Sequence, residues 1–248
     1  YLRASEALSD LPHRFLGDVA IANKKKELSR KIFHLIWDNL GPHVAAYGIE
    51  TTQLQLRAAL QACTPPFATA ERTHPVRRVA LIGNEDLAQC KLYRVDQKVD
   101  QLRAVGLDVR VVSPSRDLAD FTARVDEYDA AIFFRVPAFP PMIDAIAAAA
   151  RHGLLTFYEI DDVVFDTEQF PPSLESYAGQ IDAGQHAAMA CGVPLFEHAM
   201  SLCDYGIAST ATIARLMASR VRTGQVFEHH NALGRLHMAA LEMPTLPR

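Results

Sequence analysis

The chain has 248 residues, 49% hydrophobic and 22% charged, with a formal net charge of −4, which fits a globular protein long enough for one α/β domain with an appendage or for two small domains. That charge leaves no bulk basic field for nucleic acid, Lys24-Lys25-Lys26 is too short to supply one, and no apolar run approaches the roughly 18 residues of a membrane-spanning helix. The four cysteines, Cys63, Cys90, Cys191 and Cys203, form no CxxC pair and read as reduced thiols packed like small apolar residues, not as a disulfide framework or zinc site.

Between Val19 and Leu40 the residues Ile21, Leu28, Ile32, Phe33, Leu35, Ile36 and Leu40 fall at helical spacing, which predicts a helix that Gly41-Pro42 stops. A second helix follows, capped by Thr51 or Thr52, with Leu54, Leu56, Ala59 and Leu60 inside it and Thr64-Pro65-Pro66 at its end. Thr64–Pro75 holds three prolines and no apolar period, which reads as a linker. Residues 1–75 are therefore expected to be a small helical appendage with its linker, and residues 76–248 a separate α/β domain. The Lys24–Leu40 segment is basic at its start and apolar along one face; core packing is expected ahead of docking to a partner or peripheral association with a membrane.

From Val76 the pattern alternates. Val79–Gly83 reads as a strand, Cys90–Val105 as a helix with Leu92, Val95, Val99 and Leu102 on one side and Gly106 closing it, and Val109–Val112 as the second strand. Asp129–Phe134 is a third strand, Pro141–Arg151 a helix, and Leu154–Ile160 a fourth strand. After an irregular Pro171-Pro172 region come a helix over Ala183–Cys203, a strand at Tyr205–Ala208, a helix capped by Ser209 or Thr210 and reaching Ala218, and a short strand at Gln225–Glu228. Such alternation predicts an α/β fold with a Rossmann-like parallel sheet and helices on both faces, preceded by the helical appendage.

In open sheets of this kind ligands bind beyond the carboxyl ends of the strands, which makes Asp161 and Asp162, directly after the fourth strand, candidates for recognition or chemistry. The alternative is that one caps a turn and the other is solvated. The first strand is followed by Gly83-Asn84-Glu85-Asp86, with neither GxGxxG nor GxxxxGK[ST], which disfavours a nicotinamide dehydrogenase or a P-loop ATPase. Lys91, Tyr93 and Arg94 open the next helix, where cations suit an anionic or polyhydroxylated ligand shared with backbone N–H groups, or else a solvated surface. Arg135, leaving the third strand, suits a phosphate, a carboxylate or an ion pair with Asp161 itself. His229 and His230 are adjacent in an extended segment and so point apart, and no metal site is expected.

Cys90-Lys-Leu-Tyr-Arg94, Gly106, Tyr128-Asp129 with the strand ending at Arg135, and Tyr158-Glu-Ile-Asp-Asp-Val-Val-Phe-Asp166 together resemble the N-terminal half of bacterial glycosyltransferases of the GT-B fold, nearest to the family 4 type of surface-polysaccharide synthesis. Ala208-Ser-Thr-Ala-Thr-Ile-Ala-Arg-Leu216 and His230-Asn231-Ala-Leu233 are similar to the segment where such enzymes cross to their second domain. The likeness covers about Val76 to Leu233 and leaves out Tyr1–Pro75. It implies a hexosyltransferase-type enzyme whose first domain holds a glycan or lipid-linked acceptor, while a C-terminal domain, expected beyond Arg248, binds a nucleotide-sugar donor. No cofactor is expected in residues 1–248 themselves.

On this resemblance Asp161 and Asp162 are the catalytic candidates; Asn84, Lys91, Tyr93, Arg94 and Arg135 contact acceptor or phosphate; Asn231 lies at the interdomain hinge. Two departures stand out. Asn84-Glu85-Asp86 replaces the Gly-Gly loop of many relatives, and Arg135 and Asp161 stand where many carry a histidine. A cytoplasmic location is expected, extending to the inner face of the membrane. The competing expectation is a non-catalytic flavodoxin-like regulatory or interaction module. A receiver domain, however, needs a phosphorylatable Asp after the third strand, where this chain has Arg135.

Overall fold

The computed structural model describes residues 28–70, 75–83, 90–231 and 234. Six strands form one parallel sheet: β1 (Arg78–Gly83), β2 (Asp108–Val112), β3 (Ala130–Phe134), β4 (Leu155–Ile160), β5 (Tyr205–Ala208) and β6 (Gln225–Glu228), in the order β2-β1-β3-β4-β5-β6. The α/β reading holds, and the strands lie within a residue of where the periodicity places them. β3 shows why: Ala130-Ala-Ile-Phe-Phe134 is apolar throughout, and every residue of it is buried, as a strand covered on both faces requires.

The crossovers place their helices on two faces. The first begins as a π-helical turn (Lys91–Asp96) that continues as α2 (Gln97–Ala104). Its Val95 and Val99 pack with Val79, Leu81, Val109, Ala130, Ile132, Phe134 and Ile207. The opposite side chains, Ala80, Ile82, Ala131, Phe133, Tyr158 and Ile160, pack in a larger core with α3 (Leu118–Ala123), α4 (Pro140–Arg151), α5 (Ala183–Leu202) and α6 (Ala211–Ala218). Local chemistry fixes these helices where the sequence indicates: Pro140 and Pro141 start α4, an Asp182–Gln185 capping box starts α5, and Thr210 Oγ1 accepts from Ile213 N to start α6. The short α3 carries too few residues to produce a visible period, and the sequence reading passes over it.

The N-terminal region departs from expectation in one respect. Residues 28–63 form a helix, α1 (Leu28–Cys63), that contains Pro42 and breaks at Gly48, whose φ of 79° and ψ of 167° are non-helical. Gly41-Pro42 therefore does not end the first helix, and neither threonine caps the second in the expected way: Thr52 Oγ1 donates back to Gly48 O at 2.8 Å. Residues 19–27 of the proposed first helix lie outside the described residues. α1 lies against α5, where Gln53 Nε2 donates to Ala190 O at 2.7 Å and Arg57 Nη2 pairs with Glu197 Oε2 at 2.9 Å. Leu40, Leu56 and Leu60 enter the larger core, so α1 forms a third layer outside α5.

Gly48 offers a direct check, because a Cβ there would meet nothing within 4 Å, leaving backbone strain as the sole cost of a side chain. Gly48→Ala is expected to lose about 1–3 kcal/mol of unfolding free energy in urea titration.

Candidate functional site

The sheet order reverses between β1 and β3, since the chain leaves β1 towards β2 and returns to the other side as β3. The carboxyl ends of these two strands therefore flank the crevice in which doubly wound sheets bind ligands. Asn84 lies outside the described residues, immediately after β1. Arg135 directly follows β3 and adopts a left-handed backbone, φ 48°, while its N–H donates to Glu159 O at 2.9 Å. That conformation turns the side chain across the edge of the sheet towards the end of β4.

There the guanidinium spans both aspartates: Nη1 lies 3.4 Å from Asp161 Oδ1 and Nη2 lies 3.4 Å from Asp162 Oδ2. Tight charge-assisted pairs are shorter, near 2.8 Å, so Arg135 bridges the two carboxylates loosely. Asp161 is 16% and Asp162 48% exposed in their side chains, which leaves carboxylate oxygens within reach of a ligand hydroxyl. Asp162 Oδ1 also accepts from Val163 N at 2.9 Å, and Ser209 Oγ donates to Asp161 O at 3.4 Å. Cys90 Sγ stands 4.0 Å from Arg135 Nη1; burial, followed by the Asp161 charge, raises its pKa. Arg135, Asp161 and Asp162 thus share one edge, and the ion pair weighed at Arg135 is formed.

The three residues opening the first crossover diverge. Lys91 is partly exposed and pairs with Asp96 Oδ1 at 2.6 Å, and Tyr93 is half-buried. Arg94 is fully buried. Its Nη1 donates to His229 O at 2.7 Å and lies 3.4 Å from Glu159 Oε1, an oxygen that Lys98 Nζ approaches to 3.2 Å. Burial raises the Glu159 carboxyl above its ordinary pKa against the pull of Lys98 and Arg94, and burial lowers Lys98. Sequence reasoning missed Lys98 and Glu159. The available signals were a carboxylate inside an apolar strand and a second cation four residues after Arg94.

Asn231 is exposed, three residues beyond β6, where the chain leaves the sheet. Among the described residues no three His, Cys, Asp or Glu side chains group to hold a metal ion. His230 Nδ1 bonds Ser209 O at 2.9 Å, whereas His229 faces Lys98 and Arg94; burial first and those cations second lower its pKa from 6.5 to about 4. Chemically, the edge offers two carboxylates that accept hydroxyl hydrogen bonds and a bridging arginine suited to an oxyanion.

Two measurements follow from this geometry. Arg135→Ala is expected to be less stable than Arg135→Gly by about 1 kcal/mol, because both remove the bridge and only alanine keeps the left-handed strain. The His229 ring stays neutral when folded but protonates near 6.5 when unfolded, so wild-type stability falls as pH drops from 6.5 towards about 4. In His229→Asn that decline in Tm is expected to be shallower over the same window. Comparison with protein-family models, with curated proteins and with solved structures gave no match for this chain.

Proposed function

We propose that this chain is the acceptor-side part of a glycosyltransferase that moves a sugar from a nucleotide-sugar donor to a glycan or lipid-linked acceptor in surface polysaccharide synthesis. The observation that carries the reading is the Arg135–Asp161–Asp162 grouping at the edge where the strand order reverses. These residues belong to the same segments that resemble the N-terminal half of GT-B enzymes. In this reading a sugar hydroxyl attacks the anomeric carbon of the donor as the diphosphate leaves. Asp161 or Asp162 accepts the hydroxyl hydrogen bond and takes its proton, and Arg135 keeps the two carboxylates side by side. Lys91 and Tyr93 contact the acceptor or its phosphate. Arg94 is fully buried against Glu159 and takes no part at the exposed edge. A donor-binding domain following Asn231 completes the cleft.

A second reading, a non-catalytic flavodoxin-like module, draws on the strand order, which over β2-β1-β3-β4-β5 is also that of receiver-type domains. Arg135 at the end of β3 removes the phosphorylatable carboxylate that such a module uses. The discriminating experiment measures turnover and Tm for Asp161→Asn and Asp162→Asn in the complete enzyme. A residue that orients the acceptor loses roughly 100-fold or more in turnover while Tm scarcely moves. A cap or solvated residue keeps its turnover and loses less than about 1 kcal/mol of stability. The separation is expected for at least one of the two, and near-wild-type turnover in both would remove the catalytic assignment.

A further inference from the structure

Arg94 is the largest fully buried side chain among the described residues, and only one end of its guanidinium is engaged. Nη1 is bonded to His229 O and faces Glu159, while Nε and Nη2 have no hydrogen-bond partner. Those two nitrogens are the adjacent donors with which a guanidinium grips two oxygens of a carboxylate or phosphate side-on. Buried donors of a cation are rarely left unmade, because the desolvation of the charge is then uncompensated.

The surroundings point the same way. Gln97 and Lys98 follow Arg94 by three and four positions and are buried with it, and Lys98 meets it at Glu159. Gln97 is buried as well, and its Nε2 is a further donor without a partner. Formal charge in the cluster is unbalanced: Arg94 and Lys98 face the single carboxylate of Glu159, leaving one positive charge in excess. The chain leaving β6 covers the cluster. His229 O is bonded to Arg94, and a Cβ on Gly234 would come within 2.7 Å of Gln97 Nε2.

We infer that the Nε/Nη2 fork of Arg94 is the floor of an oxyanion subsite, distinct from the Arg135–Asp161–Asp162 edge, which takes one phosphate or carboxylate group of a ligand. The Gln97 amide adds a donor, and the excess charge of the Arg94–Lys98–Glu159 cluster is neutralised on binding. The fork is fully buried, so binding requires a local opening of its cover; of the residues leaving β6, His230 and Asn231 are exposed while His229 stays bonded to Ala208 O. The subsite does not depend on the glycosyl-transfer reading: a nucleotide, a lipid-linked phosphate or an organic acid presents the same pair of oxygens.

The test is calorimetric titration of the 248-residue chain with inorganic phosphate and, separately, with acetate, each against chloride at constant ionic strength, with Tm followed in parallel. Saturable one-to-one binding with a rise in Tm is expected. Phosphate alone assigns a phosphate group, acetate alone a carboxylate, and both together any small oxyanion. Arg94→Lys keeps the charge and loses the fork, and is expected to weaken binding by roughly tenfold or more. Glu159→Gln removes the carboxylate that competes for the cations and is expected to tighten it by about tenfold. Gln97→Leu is expected to weaken it and keeps the test intact if Arg94→Lys fails to fold. Absence of saturable binding by either anion overturns the inference, as does unchanged affinity in both Gln97→Leu and Glu159→Gln.

Discussion

Glu159 is a carboxylate in a strand covered on both faces, and the carboxyl edge is arranged around the partners it requires. Its main-chain oxygen takes the N–H of Arg135, and its side chain faces Lys98 and Arg94. Arg94 in turn holds the carbonyl of His229. One residue thereby fixes three departures of the chain from the sheet: the exit of β3, the start of the first crossover and the exit of β6. Taking such a charge out of water is costly unless each neighbour is in place, so the first crossover and, through Arg94, the exit of β6 are tied to the Glu159 side chain. Arg135 is held beside it by the main-chain bond alone and meets Asp161 and Asp162 through its own guanidinium.

The amino end of the sheet is held differently. Thr156 Oγ1 donates to Asp204 Oδ2 at 2.7 Å while accepting from Asp204 N at 2.9 Å. The other carboxylate oxygen of Asp204 takes Arg222 Nη1 and Thr69 Oγ1, each at 3.2 Å. Donors and acceptors there meet within the chain, and the result is a closed joint between β4, β5 and the segment after α1. At the carboxyl end Arg94, Gln97, Glu159 and His229 each keep an unmatched polar atom. The unmatched buried atoms thus lie at the end of the sheet beyond which open α/β folds in general bind their ligands.

This contrast also explains what the sequence discloses. Tyr205–Ala208 and Gln225–Glu228 are readable to the residue because turn and capping signals bound short apolar runs. Arg135 and Asp161–Asp162 are readable as a group because adjacent parallel strands end at the same edge. Arg94 is not. Residues 91–96 form a π-helical turn, in which more residues fill each turn than the 3.6 of an α-helix, so a face drawn at helical spacing drifts and Arg94 passes for a surface cation. Its partner Glu159 lies 65 residues away, a separation that no local pattern spans. Gly41-Pro42 misleads for a related reason: the strongest breaker in the sequence sits inside α1, and the actual break is Gly48, where the backbone dihedrals and not the composition decide.

The packing of α1 on α5 bears on how the chain can be shortened. The prolines after Cys63 mark the natural place to begin a smaller α/β domain, yet Leu56 and Leu60, at 1% and 2% exposure, belong to the core of the sheet. The outer side of α5 is built to match: Arg57 reaches Glu197, Glu197 reaches Arg220, and Arg220 reaches Asp166, four residues beyond Asp162. A version starting after the prolines would present α5 to water with its apolar side uncovered and Glu197 without its arginine from α1. Removing the helices that look dispensable would thus loosen, through Arg220 and Asp166, the loop that carries the two aspartates.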